Sequence, residues 1–128
     1  MRAILTAISL MMMLATQVGA KWIKWYEESD AEITVYIDDK INEADGYLYY
    51  WNLVDYSKLT NFGKLSTKTL VQLDCQIPVK IMPVSTIFYE GNMGEGDYNY
   101  PDVNKKWVYP SPNSHVGSMA GGLCEEYN

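Results

Sequence analysis

The sequence predicts an α+β fold, mainly β: an antiparallel sheet, a short C-terminal helix and one disulfide. Three observations point there. Several segments alternate apolar and polar residues with the period of two that puts one strand face against a core. The segments between them are too short for the crossover helices that parallel strands need. The chain also has two cysteines, Cys75 and Cys124, in a sequence that begins with an export signal.

That signal comes first. Met1-Arg2 gives one positive charge, Ala3 to Leu14 is almost wholly apolar, and Val18-Gly19-Ala20 supplies small residues before a cut after Ala20. Charged start, apolar middle and small-residue end are the three parts of a signal peptide. The alternative, a buried N-terminal helix, does not account for that charge order. The apolar run is well short of the roughly 20 residues that span a bilayer. No cysteine near the cut marks lipid attachment, and no later stretch is long and apolar enough for a transmembrane segment. Residues 21–128 then suffice for one domain and are too few for two.

Ile33 to Asp38 alternates, with Ile33, Val35 and Ile37 on one face, and reads as a strand. Asp45-Gly46 ends the polar stretch after it with a turn signal. Tyr47 to Tyr56 places Tyr47, Tyr49, Trp51 and Leu53 on one face and Leu48, Tyr50 and Val54 on the other. Both faces are largely apolar, as in a central strand. Ser57 to Ser66 is a loop. Thr67 to Cys75 alternates again, with Thr69, Val71, Leu73 and Cys75 opposite Lys68, Gln72 and Asp74, and Leu70 as the exception. Val79 to Glu90 makes one or two strands, with Pro83 at an edge or a bulge. Gly91 to Asp102 is an irregular loop, and Lys105 to Tyr109 is a short last strand. Beyond Pro110-Ser111-Pro112, Asn113 or Ser114 caps a helix that ends near Cys124 and is weakened by Gly117, Gly121 and Gly122.

Composition narrows the function. Without residues 1–20 the chain keeps nine Lys, no Arg and sixteen acids, a net charge of −7. A general nucleic-acid binder needs a basic face, so that class is excluded. An even cysteine count in an exported chain favours a Cys75–Cys124 bridge over two unpaired buried thiols. A loop of about 50 residues closed in this way contributes on the order of 4 kcal/mol. The eleven Tyr and four Trp bring large apolar area with polar tips.

Catalysis has little support. His115 is the one histidine, it lies in a polar, glycine-bearing segment, and a nucleophile would have to stand beside it. The carboxylates are numerous, but no spacing singles out an acid–base pair. Gly94-Glu95-Gly96-Asp97 lacks the ligand spacing of a calcium loop. Gly91, Gly94 and Gly96 lack the Lys-Ser/Thr of a phosphate loop. No catalytic residue, metal ligand or cofactor is therefore expected.

The lysines are more informative. Lys58, Lys64, Lys68 and Lys80 share a stretch whose only acid is Asp74. They suit a basic contact strip for an acidic partner. They equally suit the ordinary decoration of exposed strands that prevents edge pairing. The aromatic residues Tyr47, Tyr49 and Trp51 are the next binding candidates.

A family resemblance runs through these landmarks. Tyr36-Ile37-Asp38, Trp51-Asn52-Leu53-Val54-Asp55-Tyr56 and Ser66-Thr67-Lys68 leading to Asp74-Cys75 resemble the surface-adhesin protein E family of Gram-negative bacteria. Phe88-Tyr89, Met93-Gly94-Glu95-Gly96, Trp107-Val108-Tyr109-Pro110, Ser114 and Cys124 continue the likeness. The resemblance implies an antiparallel sheet with a C-terminal helix tethered to one face by the disulfide. It implies no enzymatic activity, and a protein ligand drawn from the host extracellular matrix. The expected location is the periplasm or the outer cell surface, with a homodimer as a further assembly to test. The other functional class is a periplasmic regulator or inhibitor of a hydrolase.

Overall fold

The computed structural model describes residues 21–61 and 63–127; the signal peptide expected over residues 1–20 lies outside them. Seven strands and one helix follow in order: β1 Trp22–Glu28, β2 Ile33–Asp38, β3 Asn42–Ala44, β4 Tyr47–Tyr56, β5 Ser66–Asp74, β6 Lys80–Tyr89, β7 Tyr98–Asn99 and α1 His115–Tyr127. The strands form one antiparallel sheet, ordered β1-β2-β4-β5-β6-β7, with β3 also paired to β4.

Local chemistry punctuates the chain. β2 pairs with the second half of β4 and β3 with its first half. The break between them falls where the Asp38 carboxylate accepts the backbone N–H of Lys40 (2.9 Å). This side-chain-to-backbone turn competes with the strand ladder. Asp74 ends β5 in the same way, accepting from the N–H of Gln76 (3.0 Å). Asp45-Gly46 turns β3 into β4 with φ of +54° and +83°, the two positive angles that a two-residue hairpin turn of the right twist requires.

One expected strand is corrected, and β1 and β3, not expected from the sequence, are present as strands. Lys105 to Tyr109 is not a strand: only Val108 pairs, exchanging hydrogen bonds of 2.9 and 2.8 Å with Ile81. The chain before Ile33, given no strand in the sequence reading, forms β1. A register shift between Lys24 and Tyr26 breaks its alternation, which hid it from a period-two pattern. Val79 to Glu90 is a single strand, β6, whose bulge falls just after Pro83, opposite Leu70 and Val71. The loop from Gly91 carries the two-residue β7 as well as a helical turn at Asn92–Gly94.

One sheet face and α1 make the core. Val35, Ile37, Leu48, Tyr50, Val71 and Leu73 meet Met119, Ala120, Leu123 and Cys124 of the helix. Burial of such apolar area is the main stabilising force. Ser114 caps α1, its Oγ accepting the N–H of Gly117 (3.0 Å) and donating to the Ser111 carbonyl (2.6 Å). Gly117 is obligatory, because a Cβ there would lie 1.9 Å from the Ser111 carbonyl oxygen. The Cys75–Cys124 disulfide joins the residue after β5 to the last turn of α1, with a Cα–Cα distance of 5.5 Å. Helix and sheet are thus tethered at their contact, as the resemblance implied.

Candidate binding face

The helix covers one face of the sheet, and the other stays open. Strand alternation puts Tyr36, Tyr49, Trp51, Leu53, Lys68 and Tyr89 on the open side, across four neighbouring strands. Leu53 is 0% exposed there, so larger side chains lie over it. In register it stands between Tyr36 and Lys68, and Lys68 stands beside Ile87.

Lys68 organises this end of the face. Its Nζ lies 5.4 Å from the centre of the Trp22 ring and 5.1 Å from that of Tyr89. Both fall within the ~6 Å range of a cation–π contact. Trp22 is on β1 and Lys68 on β5, three strand spacings or roughly 14 Å apart in a flat sheet. The contact is made by two long side chains lying along the face. Burial, then the neighbouring Tyr100 and Tyr98 hydroxyls, raise the Tyr89 phenol above its ordinary value of 10.0. Tyr89 is accordingly neutral at physiological pH. Trp22, Asp38, Trp51, Lys68, Ile87 and Tyr89 enclose a cleft of about 180 Å³.

The loop after β6 locks one wall. Asp55 accepts hydrogen bonds from the Met93 N–H (2.8 Å) and the Asn92 side chain (3.1 Å). Buried Ser66 donates to the Gly91 carbonyl (2.6 Å) and accepts from the Gly94 N–H (2.9 Å). These bonds set Gly94 on the stem of Lys68: a Cβ there would lie 2.5 Å from Lys68 Cε. Gly94 also has φ +71°, a conformation open to glycine without steric cost. Of the three glycines that lack the Lys-Ser/Thr of a phosphate loop, Gly94 is the seat of one lysine.

The four lysines of the proposed strip occupy different settings. Lys80 lies on the same sheet face as Lys68, but it pairs with Asp74 in register, six residues along β5, about 20 Å away. Its Nζ is 3.8 Å from the Asp74 carboxylate and 4.7 Å from the centre of the Trp107 ring, which in turn contacts Tyr47. Lys58 pairs with Glu32 (2.9 Å), and Lys64 with Glu90 (3.5 Å), in the loop before β5. The structure thus brings lysines and aromatics together at two ends of one face. Among the described residues, Lys68 alone of the four has no carboxylate within ion-pairing distance.

Trp22, Tyr89 and Trp107 were not singled out from the sequence. Their signal was the abundance of aromatics, which does not say which rings meet a lysine. Elsewhere, exposed His115 stacks on Tyr26, ring centres 3.9 Å apart. Among the described residues no group of His, Cys, Asp and Glu is placed to hold a metal ion, and no helix is long and apolar enough to cross a membrane.

Fold and face define a class: a helix strapped by a disulfide onto one side of an antiparallel sheet, with the other side presenting lysines among aromatic rings. The chain belongs to the surface-adhesin protein E family, whose model matches residues 22–125. Solved structures of Haemophilus influenzae protein E have the same fold. In crystal form II the TM-score is 0.67 at 20% identity, covering 88% of this chain and 93% of that one. A structure from the non-typeable bacterium gives 0.62 at 19%, covering 88% and 80%. At such identities the likeness is one of fold. No curated protein sequence matches the chain.

Proposed function

We propose that the chain is an exported, non-enzymatic binding protein that uses the open sheet face to contact a protein of the host extracellular matrix. The carrying observation is that face itself. A sheet that only needed to fold could cover it or make it uniformly polar, yet here Lys68 and Lys80 are set among Trp22, Trp51, Tyr89, Trp107 and Tyr47. Trp, Tyr and charged anchors in partly desolvated settings are the residues that dominate protein–protein binding energy. Lys58 and Lys64, in the loop before β5, pair with Glu32 and Glu90 and are secondary to Lys68 in this reading. Membership of a surface-adhesin family supports the same reading. It also supports export; cleavage after Ala20 rests on the Val18-Gly19-Ala20 end of the apolar run.

The test is binding of residues 21–128 to immobilised matrix proteins, with Trp51→Ala and Lys68→Glu as open-face variants. Each is expected to weaken binding by ~10-fold or more, the effect of losing an anchor worth over ~1.4 kcal/mol. Wild-type binding by both folded variants would refute the assignment of this face.

A further inference from the structure

We infer that the cleft between Trp22, Trp51 and Tyr89 is a site for a single acidic sugar ring, its acid group on Lys68 and a hydroxyl on Asp38. This deepens the proposed function by naming what the open face reads on its target, and it rests on that face being the binding face.

Size comes first. A cleft of about 180 Å³ lies below the roughly 300–1,000 Å³ that receives a drug-sized ligand. It suits one ring rather than a length of peptide. Trp22, Trp51 and Tyr89 line it; the Lys68 ammonium already lies over the Trp22 and Tyr89 rings, which leaves the indole of Trp51 for a sugar ring to stack on. The C–H bonds on one side of a pyranose ring are weakly positive and pack against such a face, whose quadrupole is negative.

Charge then selects among rings. A cationic ligand is excluded because the place it would take, between Trp22 and Tyr89, is filled by the protein's own ammonium. A purely apolar ligand would bury three ammonium N–H donors that make no hydrogen bond among the described residues. A polyanion meets a chain with net charge −6 and the carboxylate of Asp38 in the cleft wall. A ligand bearing one acid group and several hydroxyls satisfies both walls. Its carboxylate takes the Lys68 donors in a charge-assisted bond. Asp38 is 8% exposed and spends Oδ1 on the Lys40 N–H. No described residue bonds its Oδ2, which is left to accept from a hydroxyl.

Pre-organisation supports the assignment. A lysine side chain is rich in rotamers, and ordering it costs entropy. Here its stem is pinned beneath Gly94 by the Ser66 and Asp55 hydrogen bonds, so little freedom remains to be lost on binding.

The experiment is a tryptophan-fluorescence titration of residues 21–128 with glucuronate and N-acetylneuraminate, with glucose as the neutral sugar and benzoate as a planar acid. The expected result is a saturable change with at least one sugar acid, and binding ~10-fold or more weaker for glucose, as the loss of a charged hydrogen bond predicts. Lys68→Gln should bring the sugar acid down to the glucose level, and Lys68→Arg should restore much of the difference. If Lys68→Gln does not fold, the wild-type preference for acid over neutral sugar still decides. No saturable change by ~10 mM, about tenfold above the Kd of a site worth ~4 kcal/mol, would overturn the inference. Benzoate binding as tightly as the sugar acids would overturn it too. Matrix binding that persists without any sugar-acid binding refutes the inference and leaves the proposed function standing. Sugar-acid binding without matrix binding does the reverse.

Discussion

Gly94 has no side chain where Lys68 needs room. A Cβ at that position would sit 2.5 Å from Lys68 Cε, and the backbone there has φ +71°. Gly94→Ala should cost about 1–3 kcal/mol through the strained backbone, measured by urea denaturation. It should also push Lys68 off the Trp22 ring, which a shift in tryptophan emission would report. Tyr50 is a second informative residue. It is 1% exposed on the helix face, and burial pushes its phenol far above the ordinary value of 10.0. The folded state therefore keeps the proton at a pH where the unfolded chain has released it. Stability is full below pH 10 and falls above it, by up to about 1.4 kcal/mol per pH unit. Denaturation at pH 9 and pH 11 should show this loss, and Tyr50→Phe should remove most of it. A smaller residue from Tyr26 and Tyr89, both raised by burial, should survive that change.

At the scale of elements, α1 depends on its attachments. Three glycines in its 13 residues each cost up to about 1 kcal/mol relative to Ala. The Ser114 cap and the disulfide offset that weakness. Ser114→Ala should lower stability by ~1 kcal/mol, and Cys124→Ser by roughly 2–5 kcal/mol, both from denaturant midpoints. The second change should also expose the face that α1 buries, detectable as binding of a hydrophobic dye. β4 was legible because its run is apolar on both faces, as in a central strand, and β5 because Thr69, Val71 and Leu73 alternate with polar residues, Leu70 excepted. β1 was not legible, because the shift between Lys24 and Tyr26 puts two periods out of phase within seven residues. Lys105 to Tyr109 misled for the opposite reason. Its β-favouring composition makes it strand-like, but only Val108 finds a partner, on Ile81.

For the whole molecule, charge sets the terms of binding. The chain is acidic, so any attraction to an acidic partner is local and short-ranged. Binding to matrix protein should weaken as salt rises, since the Debye length shrinks from ~10 Å at 0.1 M to ~3 Å at 1 M. Lys58 and Lys64 already pair with Glu32 and Glu90, and exposed pairs of this kind contribute ~1 kcal/mol or less. Lys58→Glu and Lys64→Glu should each change affinity little, whereas Lys68→Glu should change it most. Surface plasmon resonance on the three variants at low and high salt checks both the order and the salt slope.

By itself the sequence determined the export signal as an expectation, the antiparallel sheet, the cysteine pair and the faces of the central strands. These follow from periodicity, short connections and residue counts, which act over a few neighbouring positions or need no geometry. Even the side of the sheet on which Lys68 points was readable, because a strand turns its side chains over at every step. Only the tertiary structure decided which rings surround that lysine. Trp22, Trp51 and Tyr89 come from β1, β4 and β6, and they meet it because strand pairing sets those strands in one sheet and long side chains reach across it. That strand order is a property of the assembled sheet, and no window of sequence contains it.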